Sequence, residues 1–277
     1  MLISSSMYIL VALGLAFIFN MLGILNLAHG AIYMIAGYIT YVFAVTLGIS
    51  SWIALLMSTA LIALFGLFVE KYCFRPFVGN FNAAVTVCIA ITVILQTTAN
   101  ILIGTSVVAI PAFVQGVFKA GLISIFYDRI VTFIVGGVLV GAVMWFVNST
   151  RMGQQMQAIA QKREAAYLQG INVHRVSGLA CALGFGLAAV SGSLMGALMN
   201  LGPFSGDYMM VKALILIILG GLGSIGGVVI AGIIFGSLGA ILPVVMDPLV
   251  ADAVLVVVVV VLLLVRPQGF FGHEAEL

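Results

Sequence analysis

The sequence predicts an all-α polytopic membrane protein, with about eight transmembrane helices, two broken or re-entrant segments and an internal repeat. Three observations predict it. Apolar residues make up 64% of the 277 positions and charged residues 6%, where a soluble domain carries about 25% charged. Apolar stretches of about 20 residues recur along the whole chain, each long enough to cross roughly 30 Å of hydrocarbon. A polar, glycine-rich phrase then interrupts the apolar sequence twice. The first copy reads Leu25-Asn26-Leu27-Ala28-His29-Gly30, followed by Ala31-Ile32-Tyr33-Met34-Ile35-Ala36-Gly37. The second reads Gly220-Gly221-Leu222-Gly223-Ser224-Ile225-Gly226-Gly227, followed by Val228-Val229-Ile230-Ala231-Gly232. Aligning the shared Ile-Ala-Gly sets Leu27 and His29 opposite Leu222 and Ser224.

Residues 1–277 read as one transmembrane domain, with membrane segments at 6–25, 30–48, 52–69, 83–103, 128–148, 176–200, 211–242 and 252–265. The first has no basic residue before it and is longer than a signal core, so it is expected to be a retained helix. The seventh contains the second break and is long enough to be two half-helices or a tight hairpin. Lys71 and Arg75 fall in one loop, Arg151, Lys162, Arg163 and Arg175 in another, and Arg266 in the tail. Placing these three regions inside sets the N-terminus outside and the C-terminus inside. Residues 104–127 then form an external, partly re-entrant loop. Lys119, Arg129, Lys212, Asp128, Asp207, Asp247 and Asp252 lie on or near the outer side, and every acidic residue is expected at a segment end or in a loop. A net charge of +2 gives no reason to expect nucleic acid as a partner. The three cysteines, Cys73, Cys88 and Cys181, are far apart and show no metal-ligand spacing.

Asn, His and repeated Gly in apolar helix are costly in a bilayer, because freed backbone groups find no water there. Corresponding breaks in two halves of a membrane protein point to a transport path. The candidates for that path are Asn26, His29, Gly30, Tyr33, Gly221 and Ser224. A half-helix N-terminus presents unpaired N–H groups suited to a passing carboxylate, and Asn26, His29 and Ser224 can bond a solute, water or the broken backbone itself. The glycines permit unusual dihedrals and close packing. Taken alone, these residues leave a passive channel, a proton-coupled carrier relaying through His29, and a Ser224–His29 hydrolase open beside an ATP-driven pump.

The 149–176 segment is the longest polar stretch. Met152, Met156, Ile159, Ala160, Tyr167, Leu168 and Ile171 recur at three- and four-residue steps, which predicts a short amphipathic helix stopped by Gly170. Such a helix lies on lipid headgroups or docks on a soluble partner. No Gly-x-x-x-x-Gly-Lys-Ser/Thr phosphate cradle occurs, so an ATPase would have to be a separate subunit.

The run Arg163-Glu164-Ala165-Ala166 followed by Gly170-Ile171 resembles the EAA signature of bacterial ABC importer permeases, through which a membrane subunit engages its ATPase. With Met152-Gly153, Ala158-Ile159-Ala160, Ala12-Leu13-Gly14-Leu15, the two breaks and the terminal Arg266-Pro267-Gln268-Gly269, the chain is similar to LivH-type permeases of branched-chain amino acid importers. Asn20 departs from that pattern, where many relatives have a small residue. The resemblance implies ATPase coupling through Arg163, Glu164, Ala165, Ala166, Gly170 and Ile171. It implies a homologous second permease as heterodimer partner, two cytoplasmic ATPases that bind ATP and Mg, and a periplasmic substrate-binding protein. It also implies a bacterial inner (cytoplasmic) membrane location, no cofactor or metal in this chain, no enzymatic step of its own, and a cargo of Leu, Ile, Val or related amino acids. Family members for urea or short amides keep the cargo open.

Overall fold

The computed structural model describes residues 2–120, 123–266 and 268–271. Pro267 of the terminal motif lies outside them. Helix α1 (Leu2–Leu22) is followed by the first break and by α2 (His29–Tyr41), which a π-helical turn carries on through Val42–Thr46. Helix α3 (Ser51–Val69) continues through a π turn (Glu70–Phe74) and a 3-10 turn (Arg75–Phe77) into α4 (Phe81–Ile103). A small hairpin, β1 (Val117–Ala120) with β2 (Ile123–Phe126), leads to α5 (Tyr127–Ser149). Then come the short helices α6 (Arg151–Gln161) and α7 (Arg163–Leu168), and the long α8 (Val173–Leu198). Helices α9 (Ser205–Gly220), α10 (Ile225–Val245) and α11 (Pro248–Val265) complete the order. Among the described residues seven helices are long and apolar enough to cross a membrane, with Leu249–Val265 as a shorter apolar helix.

Helices α1 and α8 form the centre, with 83% of each span buried against 11% for α4 and 17% for α5. Small residues let them approach. A Cβ on Gly14 would stand 2.5 Å from the Gly184 carbonyl oxygen, and one on Gly184 equally close to the carbonyl of Gly14. Without a hydrophobic drive between helices in lipid, such backbone proximity and interhelical hydrogen bonds supply the association. Ser191 donates to the Met7 carbonyl (3.1 Å), Thr40 and Ser193 share a bond of 2.7 Å, and Ser58 donates to the Ala36 carbonyl (2.8 Å). These contacts tie α1 and α2 to α8, and α3 to α2.

The expected seventh segment starts earlier, at Ser205, and is a hairpin. Asn20, near the end of α1, donates to the Gly223 carbonyl (3.2 Å). Gly232 and Gly236 of α10 then pack back along α1 against Ile9 and Ser5. Gly221 and Gly223, at φ 95° and 99°, make the tight reversal that other residues resist. The chain leaves α11 at this same end, where Phe270 and Phe271 donate to the carbonyls of Leu219 (2.7 Å) and Gly220 (3.2 Å). The start of α1 and the Phe270–Phe271 segment thus lie at opposite ends of the bundle.

Two further expectations need correction, and the 104–127 loop gains a defined element. Residues 149–176 form two helices instead of one, because Lys162 is extended (φ −156°, ψ 102°) between α6 and α7. Gly170 does stop the second, at φ 78°, and Asn172 caps α8 by accepting from the Arg175 N–H (3.1 Å). Residues 104–127 hold a β-hairpin, and its neighbourhood is anchored by Asp128 accepting from the Phe113 N–H (3.0 Å). Finally, not every acid sits at a segment end. Glu70 lies within the continuous Ser51–Phe77 helical span, 1% exposed, and binds Arg75 in two places (2.6 and 3.1 Å). Asp252 is one turn inside α11, against Lys212 of α9 (2.7 Å). Pairing removes the cost of an isolated charge in apolar surroundings, which is why these acids are tolerated there.

Candidate translocation path and coupling surface

The first break begins where α1 ends at Leu22, with Gly23 at φ 66°. The chain then turns back along α1, and Asn26 accepts from the Ala28 N–H (3.1 Å). His29 opens α2, its Nε2 donating to the Val11 carbonyl (3.1 Å) halfway along α1, and its Nδ1 is without a partner. Both Asn26 and His29 are 0% exposed, and the Asn26 amide Nδ2 is also without a partner. Gly30 packs directly on the Gly206 backbone of α9, and Tyr33 is buried with its carbonyl against Gly192 of α8.

The second break sits lower. Its contact at Asn20 is nine residues beyond Val11 on α1, a separation of roughly 14 Å along the helix axis. Ser224 caps α10, accepting from the Gly227 N–H (3.0 Å). Both phrases therefore end at the start of a helix, but at different depths, and the six candidate residues do not meet in one cavity. Ser224→Ala is expected to lower stability by about 1 kcal/mol through the lost cap; thermal unfolding in detergent measures it.

Under the second break lies a cleft of about 560 Å³. Asn20, Asn148, Gln157, Gln161 and Ser224 supply its polar wall, Phe17, Met21, Met156 and Phe271 its apolar wall, and among the described residues no charged side chain lines it. Gln157 is held by donating to the Val147 carbonyl (3.1 Å) and to the Asn148 side-chain oxygen (3.2 Å). Neutral amides around an apolar floor suit a small solute of no net charge. The sequence reading missed Asn148 and Gln157, and took Asn20 only as a departure, because helix folding alone brings them beside Ser224.

Helix α6 joins this cleft to α7. Met156 and Ile159 are buried against the bundle, and Gln157 and Gln161 face the cleft. In α7 the apolar periodicity points the other way: Tyr167 is 71% and Leu168 86% exposed, while Ala166 is buried. A shallow surface pocket runs over Arg163, Glu164, Tyr167, Leu168, Val173 and His174. Arg163 reaches from it to the carbonyl of Met21 (3.3 Å), directly before the first break. Ala165 is half-buried and Gly170 and Ile171 complete the turn into α8, Ile171 donating to the Ala166 carbonyl (3.2 Å). The predicted coupling residues are thus brought together, and one of them touches the end of α1.

The sequence matches the family model described as branched-chain amino acid transport system / permease component over residues 1–265. It is 31% identical to the high-affinity branched-chain amino acid transport system permease protein LivH of Salmonella typhimurium, over 97% of this chain and 92% of that one. It is 30% identical to the corresponding protein BraD of Pseudomonas aeruginosa, with the same coverage. The fructose import permease protein FrcC of Rhizobium meliloti is 32% identical over 36% of this chain and 29% of its own. No solved structure matches. A match of this extent, on a multi-pass helical chain with this break-and-loop architecture, means that the chain belongs to the branched-chain amino acid transport system permease family.

Proposed function

We propose that this chain is the permease subunit of an ATP-driven ABC importer that moves Leu, Ile, Val or related amino acids across a bacterial inner membrane by alternating access. The carrying observation is α7, a short helix whose Tyr167 and Leu168 project from the subunit while Arg163, on the same helix, holds the end of α1. An exposed aromatic–aliphatic pair beside a pocket has the composition of a docking anchor. A partner that moves α7 moves the residue before the first break.

In this reading two cytoplasmic ATPases bind ATP and Mg and engage Arg163 to Ile171. A homologous permease covers part of the exposed helix surface, and a periplasmic binding protein delivers the solute. The path runs past Asn26, His29, Gly30 and Tyr33 and leaves through the cleft at Gly221–Ser224, whose uncharged lining fits a zwitterion of no net charge. The same lining favours urea or another small amide as the second reading. An ion-coupled carrier is disfavoured, because Glu70 and Asp252 are both ion-paired.

The test is uptake in proteoliposomes carrying the complete importer. Leucine accumulation is expected to require ATP and the ATPase subunits. Charge reversal at Glu164 together with bulk at Ala165 should uncouple hydrolysis from uptake while the subunit remains in the membrane. Unchanged uptake would sink the docking assignment, and uptake driven by a proton gradient without ATPases would favour the carrier.

A further inference from the structure

Three helices converge on one ion pair. The ammonium of Lys212 (α9) stands 2.7 Å from Asp252 Oδ1 (α11), 4.9 Å from the Tyr208 ring centroid and 5.4 Å from that of Phe235 (α10). The Lys212 side chain is 8% exposed and that of Asp252 48%, so the cluster opens at the carboxylate. A pair of this kind is a poor device for stability, since taking each ion from water costs several kcal/mol and well-packed apolar residues do as well. Ionisable groups inside membrane helices more often mark the path of a solute.

We propose that Lys212 and Asp252, walled by Tyr208 and Phe235, form a recognition site for the zwitterionic head of an α-amino acid. The proposal rests on the reading that the cargo is an amino acid. A carboxylate with two aromatic faces is the chemistry that holds an ammonium, and Lys212 is its resident occupant. An incoming zwitterion brings both charges at once. Its carboxylate takes the Lys212 ammonium and its own ammonium takes Asp252, so no charge is left unpaired in apolar surroundings. A bare acid leaves the half-exposed Asp252 without a partner, and a bare amine strands the Lys212 ammonium, 8% exposed, at the cost of an uncompensated buried charge. The site therefore selects for the zwitterion, whatever the side chain. The head enters from the Asp252 side, where the cluster is open.

The experiment uses the complete importer in proteoliposomes and the purified permease in nanodiscs. The probes are leucine, 4-methylpentanoate (no ammonium) and isoamylamine (no carboxylate). Millimolar leucine is expected to raise the thermal transition of the wild-type permease, and the other two probes to leave it unmoved. The neutral pair K212M/D252N is expected to assemble with its partners and keep its transition, but to lose the leucine response and about tenfold or more of the uptake. Three results each overturn the proposal: uptake by the neutral pair within about twofold of wild type, equal protection by all three probes, or no protection of a wild-type permease that transports leucine. Should the double variant fail to assemble, the three-probe comparison on the wild type decides. Wild-type uptake reports separately on the cargo: an importer that moves no amino acid ends that reading and this one together, whereas one that moves leucine without head-group selectivity ends this one alone.

Discussion

Replacing Tyr167 and Leu168 together by glutamate is expected to cut ATP-driven uptake by about a hundredfold or more, with the subunit still folded. The two side chains are 71% and 86% exposed and take no part in the buried core, so their loss removes no packing within the chain. In an interface, buried aromatic and aliphatic anchors of this kind cost about 2 kcal/mol or more each when truncated, and a carboxylate in their place adds an unpaired charge. Co-purification of the ATPase subunits and uptake measure the effect separately. Retention of both would move the docking surface away from α7. A milder variant, Arg163→Met, keeps Tyr167 and Leu168 in place and removes the guanidinium with its bond to the Met21 carbonyl. ATPase binding is then expected to persist while transport per ATP falls.

The second large effect is expected at Gly14. Its added Cβ would meet the Gly184 carbonyl oxygen at 2.5 Å and His29 Nε2 at 3.0 Å. The first is backbone of the facing helix and cannot swing aside. The second is held by its bond to Val11. Gly14→Leu must therefore part α1 from α8 or expel His29, in the part of the bundle where burial is greatest. Overpacking of a tight core costs about 1–3 kcal/mol; with two fixed neighbours the upper end or beyond is expected, a large share of a total stability of about 5–15 kcal/mol. Gly137→Leu on α5 provides the contrast, since a Cβ there meets nothing within 4 Å. Thermal unfolding and membrane yield should fall for the first variant and stay unchanged for the second. Equal behaviour of the two would falsify the packing account of α1 and α8.

Much of the architecture was legible because its causes are local. Runs of about 20 apolar residues define spans by length alone. Gly170 and Asn172 set the end of α7 and the start of α8 through a positive φ and a side-chain cap. Ser224 caps α10 in the same local way. What escaped reading depends on partners distant in sequence. Lys162 gives no local sign that it is extended, so α6 and α7 read as one helix. Tyr167 and Leu168 fit the apolar period of a buried face, yet they project outward once the chain bends at Lys162. Asp252 and Lys212 carried a usable signal, opposite charges in two neighbouring apolar runs, but only the packing of α9 on α11 shows them to be a pair.

The doubled phrase shows the same division. By itself the sequence determined that two breaks exist, that each precedes a helix, and that a polar loop with the Glu164-Ala165-Ala166 run belongs to a permease family, because glycine dihedrals, apolar length and motif spacing are properties of the chain. The tertiary structure alone decided the depths. His29 is bonded to the middle of α1 and Gly223 to its end, because α1 lies against both breaks and supplies a different carbonyl or amide to each. It also decided that the lower break opens on a cleft walled by neutral amides and apolar side chains while the upper one is sealed. Those are consequences of helix packing, in which residues hundreds of positions apart satisfy one another's polar groups where water cannot.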